Sequence, residues 1–125
     1  MKLRIRGNSI RLRLSQTEVA GLEDSGRATD QIVFGPGAQL AYALVVDKAI
    51  DMTQAAFEDG IITVAIPGDV MTTWLDPAEI SIHGSQPLAE GEPLQILVEK
   101  DFACLQPRDG EDQENLFPNP GNNPC

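Results

Sequence analysis

The chain has 125 residues, a length that suits one domain burying roughly two-thirds of the surface its unfolded form exposes, so neither a metal nor a disulfide is needed to hold its core. Nineteen Asp and Glu against nine Lys and Arg give a formal net charge of −10, which excludes bulk nucleic acid and anionic membrane as partners by repulsion. No stretch approaches the roughly 18 apolar residues of a membrane span, and no apolar run of signal-peptide length follows the basic start. These features read as a soluble, cytoplasmic protein.

The charge is not evenly spread. Lys2, Arg4, Arg6, Arg11 and Arg13 fall within the first thirteen positions with no acid among them, so this opening carries +5 and the remainder −15. Basic residues alternate with Leu3 and Ile5, the pattern breaks at Gly7-Asn8, and it resumes as Ile10, Leu12 and Leu14 around Arg11 and Arg13. Period-two alternation on both sides of a turn dipeptide predicts a hairpin with Arg6 opposite Ser9, Arg4 opposite Arg11 and Lys2 opposite Arg13. One face of that hairpin is apolar, and the other stacks like charges, which destabilise one another unless something anionic lies against them.

Ser15-Gln16-Thr17-Glu18 has the spacing of a capping box, with Leu14 and Val19 placed as a hydrophobic staple, and predicts a short helix ending near Asp24-Ser25-Gly26. Strands are expected over Thr29–Phe34 and Ala38–Val46, around Gly35-Pro36-Gly37. Asp59-Gly60 is a type I′ turn signal that pairs Phe57 with Ile62, Ala55 with Val64 and Thr53 with Ile66. Asp69–Leu75 reads as one or two helical turns stopped at Asp76-Pro77, with Trp74 in the core, and Glu79–His83 and Leu94–Phe102 as final strands. The order is therefore ββαββββαββ. The fold class is α+β, with about eight mainly antiparallel strands in one curved or barrel-like sheet and two short helices. No repeat is visible in the sequence. Residues 1–105 form a single domain, and the acidic, Pro/Asn-rich residues 106–125 form an irregular tail packed on it, because its prolines remove ladder donors.

Four candidate chemistries follow. Arg4, Arg6, Arg11 and Arg13 are candidate anion-binding residues, since alternating arginines on a sheet present bidentate donors to phosphate or carboxylate. The opposing reading is internal neutralisation by Glu99 and Asp101 on the last strand, or by the acids between Asp109 and Glu114. Cys104 and Cys125 are candidate thiols. In a reducing cytosol they stay free, and paired they would clasp the tail to the body, worth on the order of 3 kcal/mol. No Cys-x-x-Cys or His-x-x-x-His spacing marks a metal site, and His83 shares the parity of Glu79 and Ser81, opposite Ile80 and Ile82, so it faces solvent. Arginine-lined barrels that bind triphosphate also place basic residues at alternate strand positions, but their Glu-x-Glu-x-Lys opening is missing and Glu99-Lys100-Asp101 is only a partial echo.

The opening Lys2 to Leu14, together with Glu99-Lys100-Asp101-Phe102-Ala103-Cys104-Leu105 and Phe117-Pro118-Asn119-Pro120, resembles a family of small bacterial proteins carrying a domain of unknown function. The resemblance spans nearly the whole chain and implies a bacterial source and one architectural unit that joins the basic start to the Glu-Lys-Asp-Phe segment. It implies no activity, cofactor or catalytic residue. The expected function is a non-catalytic binding or interaction module needing no cofactor, with a protein partner, a second copy or a small anion as its ligand. The alternatives are a metal- or thiol-dependent protein using Cys104 and Cys125, and an anion- or phosphate-binding protein using the basic strands.

Overall fold

The computed structural model describes residues 1–101 and Phe117. Cys104, Cys125 and the acids from Asp109 to Glu114 lie outside the described residues. Among those described, the elements are β1 (Lys2–Arg6), β2 (Ser9–Leu14), α1 (Gln16–Ser25), β3 (Arg27–Gly35), β4 (Ala38–Asp47), β5 (Gln54–Glu58), β6 (Ile61–Pro67), α2 (Gly68–Trp74), β7 (Ser81–Gln86) and β8 (Leu94–Lys100). The order is the one expected, and the local signals account for it. Gly7 has φ +54°, which gives the first hairpin a turn with its left-handed residue in the first central position, and the register sets Arg6 opposite Ser9, Arg4 opposite Arg11 and Lys2 opposite Arg13. At the second turn Asp59 and Gly60 both take positive φ, +52° and +75°, as a type I′ turn requires. Phe57 pairs with Ile62 and Ala55 with Val64, and the same register runs to Gln54 opposite Ala65, one residue short of the expected pair of Thr53 with Ile66; Thr53 lies close to Gly84.

The capping box forms as well. Ser15 Oγ accepts from the Glu18 N–H, and Glu18 Oε1 accepts from the Ser15 N–H at 3.0 Å. Leu14 and Val19 are both buried beside it. Gly26, with φ +75°, ends α1 by donating its N–H to the Leu22 carbonyl at 2.9 Å.

The arrangement of the strands corrects the expectation of one curved or barrel-like sheet. Among the described residues there are two separate four-stranded sheets, ordered β1-β2-β8-β7 and β3-β4-β6-β5, and no closed barrel. Each is mixed. Two antiparallel hairpins meet through their second strands, β2 parallel to β8 in one sheet and β4 parallel to β6 in the other. The topology is that of two ββαββ halves, each giving one hairpin to each sheet, although the sequence carries no repeat. The parallel central strands supply Leu12, Leu14, Leu44, Val64, Ile66, Ile96 and Val98 to the core between the sheets, all at 2% exposure or less, which fits strands shielded by a neighbour on each side.

Among the described residues, side-chain contacts and not a shared ladder tie the sheets together. Gln86, the last residue of β7, accepts from the Ala55 N–H through Oε1 at 2.6 Å and donates through Nε2 to the Ala55 carbonyl at 3.1 Å. Its amide thus stands in for a neighbouring strand at the edge of β5. At the start of the chain the Met1 ammonium contacts Glu18 and lies 3.1 Å from Asp30 Oδ2, and the Tyr42 hydroxyl donates to the Met1 carbonyl at 3.0 Å. Lys100, at the end of β8, instead ties the first sheet to α2 and the connection that follows it. It is 4% exposed and donates through Nζ to the carbonyls of Asp76 and Glu79 at 2.8 and 2.7 Å. Its ammonium lies 5.5 Å from the Trp74 ring centroid and 5.7 Å from that of Phe117. Burial pushes its pKa down, against the opposing field of Asp76 and Glu79.

Two predictions follow from these ties. Gln86→Leu strips both partners from Ala55, and urea unfolding should record a loss of about 1–2 kcal/mol, with faster amide exchange at Ala55. A pH dependence comes from the Met1 ammonium and its contacts with Glu18 and Asp30. Burial works against both charges, but Glu18 and Asp30 outweigh it and raise the ammonium above 8.0, while the Gln31 N–H and the ammonium outweigh it and lower Asp30 below 3.8. The raised amine contributes fully below pH 8.0 and loses that contribution as pH climbs through its folded value. The lowered carboxyl contributes fully above 3.8 and loses it as pH falls. Asp30→Asn should therefore flatten the acid limb of a plot of melting temperature against pH and weaken the alkaline limb, which Glu18 still sustains.

Candidate cationic sheet face

Strand alternation places the basic residues on the outer face of the first sheet, with Leu3, Ile10, Leu12, Ile82, Ile96 and Val98 turned inward to the core. The register builds three rungs across that outer face. The first runs from Lys2 through Arg13 and Glu99 to Ser81. The second runs from Arg4 through Arg11 and Leu97 to His83, and the third from Arg6 through Ser9 and Gln95 to Ser85. Successive rungs are about 6.8 Å apart, two residues along a strand.

The parallel pairing of β2 with β8 brings Glu99 to the arginines. Arg11 Nε and Arg13 Nε lie 3.1 and 3.4 Å from the same Glu99 Oε1. Lys2 Nζ is 2.8 Å from Oδ2 of Asp101, which is 6% exposed and whose backbone N–H donates to the Leu14 carbonyl at 2.8 Å. Glu99 and Asp101 thus face Lys2, Arg11 and Arg13. Arg4 and Arg6 have no acidic partner among the described residues. They line, with Arg11, His83, Ser9 and Gln95, an open cavity of about 270 Å³.

His83 is exposed on this face, its Nε2 3.4 Å from Ser81 Oγ. That is longer than the roughly 2.7–2.8 Å of a strong hydroxyl hydrogen bond, and the pair lies open on the sheet. Parity placed His83 toward solvent in the sequence, but nothing local set it beside Arg4 and Arg11, since that neighbourhood depends on β7 and β8 joining β2. Lys100 and Asp101, the partial echo of a triphosphate tunnel signature, serve other ends here, because one is buried against Trp74 and the other holds Lys2. No group of three His, Cys, Asp or Glu side chains suited to a metal occurs among the described residues, and Cys104 and Cys125 lie outside them. Among the described residues no helix is long and apolar enough to cross a membrane.

Fold and face together define a two-sheet α+β protein, one of whose sheets has a cationic outer face. Its sequence matches, over residues 1–121, the model of a family of unknown function, DUF7009, and the chain belongs to that family. No curated protein and no solved structure matches it.

Glu99→Gln releases Arg11 and Arg13 from their shared carboxylate. The pairs are partly exposed and like-charged neighbours are left behind, so the expected cost in urea unfolding is about 1 kcal/mol or less, shrinking as salt is added.

Proposed function

We propose that the protein is a non-catalytic binding module whose cationic sheet face takes a small anionic group, phosphate or carboxylate. The observation that supports this reading most is the convergence of Arg4, Arg6 and Arg11 with His83 on one cavity, where Arg4 and Arg6 have no acidic partner among the described residues. Guanidinium groups give an anion paired, directional donors. The strands beneath hold those groups at fixed spacing, which lowers the ordering cost of binding. Glu99 serves as a brace that orients Arg11 and Arg13 and lowers the repulsion across the hairpin. The chain's overall charge of −10 repels long polyanions and leaves compact ligands favoured at this face.

Titration calorimetry with inorganic pyrophosphate tests the proposal. The full chain should bind saturably at low salt and more weakly as salt rises, and the double variant Arg4→Glu, Arg6→Glu should lose roughly tenfold or more in affinity, equivalent to about 1.4 kcal/mol. Neutralising Asp109, Glu111, Asp112 and Glu114 is the companion experiment. If pyrophosphate binds only after those four acids are removed, the face is closed by the chain's own charge and the proposal is wrong. An absence of binding at millimolar pyrophosphate in both proteins would be equally decisive against it.

A further inference from the structure

Strand β1 is an edge of its sheet. In a hairpin closed by a two-residue turn, the pair flanking the turn exchanges both backbone hydrogen bonds and every second pair follows suit. Here those bonded pairs are Arg6 with Ser9, Arg4 with Arg11 and Lys2 with Arg13. The N–H and C=O groups of Leu3 and Ile5 therefore point away from β2, and no hydrogen bond engages them among the described residues. The same stretch carries Lys2, Arg4 and Arg6 on one side and Leu3 and Ile5 on the other, with Ile5 59% exposed. Donors, acceptors, charge and an apolar surface thus coincide on five residues.

Resting on the anion-binding reading, we infer that β1 receives an extended acidic peptide as an added strand. The residues opposite Lys2, Arg4 and Arg6 share the cationic face, so they are Asp or Glu. The residues opposite Leu3 and Ile5 share the apolar face, so they are hydrophobic. The recognised segment alternates acidic, apolar, acidic, apolar, acidic. Opposite charges directly across strands stabilise a pair, main-chain hydrogen bonds give strand addition its affinity, and alternate side chains give it specificity. A second copy of this chain is a poor occupant, because antiparallel pairing of two β1 edges would set Arg4 against Arg4 and Lys2 against Arg6. Single-stranded nucleic acid is disfavoured as well. It makes no use of the open backbone groups, and the three rungs of the face carry no Phe, Tyr or Trp on which bases stack.

The probe is an end-blocked, fluorescently labelled peptide, Glu-Val-Glu-Val-Glu, titrated against the full chain by anisotropy. The comparison ligands are Glu-Glu-Glu-Val-Val, an oligothymidylate of equal charge, and pyrophosphate. The alternating peptide should bind roughly tenfold tighter than the block peptide, the difference expected from two or three cross-strand ion pairs. Ile5→Pro removes only the outward N–H of an edge strand, so it should abolish the preference for the alternating peptide while pyrophosphate still binds. If Ile5→Pro unfolds the protein, amide exchange in the wild type decides instead, because the peptide must slow exchange at Leu3 and Ile5. Equal binding of the two peptides with unchanged exchange at Leu3 and Ile5 would overturn strand addition and leave the anion face standing. Tighter binding of the oligothymidylate than of the alternating peptide would overturn it in favour of nucleic acid. Failure of every ligand, pyrophosphate included, would overturn both readings.

Discussion

A parallel seam between β2 and β8 joins residues 9–14 to residues 95–100, and three features of the molecule depend on it. The seam completes the first sheet, since β1 reaches β8 only through β2 and β7 reaches β2 only through β8. It buries Leu12, Leu14, Ile96 and Val98 on one side, and it sets Glu99 between Arg11 and Arg13 on the other. Loop closure over so long a separation is costly before any contact repays it. The apolar side of the seam must repay that cost, because ion pairs as exposed as those of Glu99 contribute little. The cationic face is thus held together by the hydrophobic contacts behind it rather than by its own electrostatics.

That division explains why a protein of net charge −10 can carry a concentrated cationic surface. Period-two alternation forces every second residue of β1 and β2 outward, so the apolar positions that build the core dictate where the basic ones stand. Two acids moderate the repulsion by different means. Glu99 is shared by two guanidinium groups, whereas Asp101 is buried and takes the flexible Lys2 ammonium. Arg4 and Arg6, on the edge strand, make no ion pair with either.

Much of this was legible in the sequence because the signals are local. Gly7-Asn8 and Asp59-Gly60 specify their turns, and a two-residue turn specifies register, so the cross-strand partners of Arg4 and Phe57 could be read directly. The capping box at Ser15 and Glu18 is equally local. Which strand lies beside which hairpin is a different matter. Nothing near Arg11 encodes Leu97 or His83 as a neighbour, and the choice between one curved sheet and two separate sheets depends on the pairings of β2 with β8 and β4 with β6. The burial of Lys100 was within reach, since it shares parity with Ile96 and Val98. A cation at a core position reads as an exception until the carbonyls of Asp76 and Glu79 and the rings of Trp74 and Phe117 are brought around it.

Whether Arg4, Arg6 and Arg11 act as one anion-binding unit, as proposed, is visible in arginine side-chain NMR. In a titration with pyrophosphate, the Nε–Hε signals of these three should move along one saturable curve, while that of Arg27 on the other sheet stays in place. Uniform drift of Arg27 with the others, or no movement of Arg4 and Arg6, would show that these arginines form no such unit.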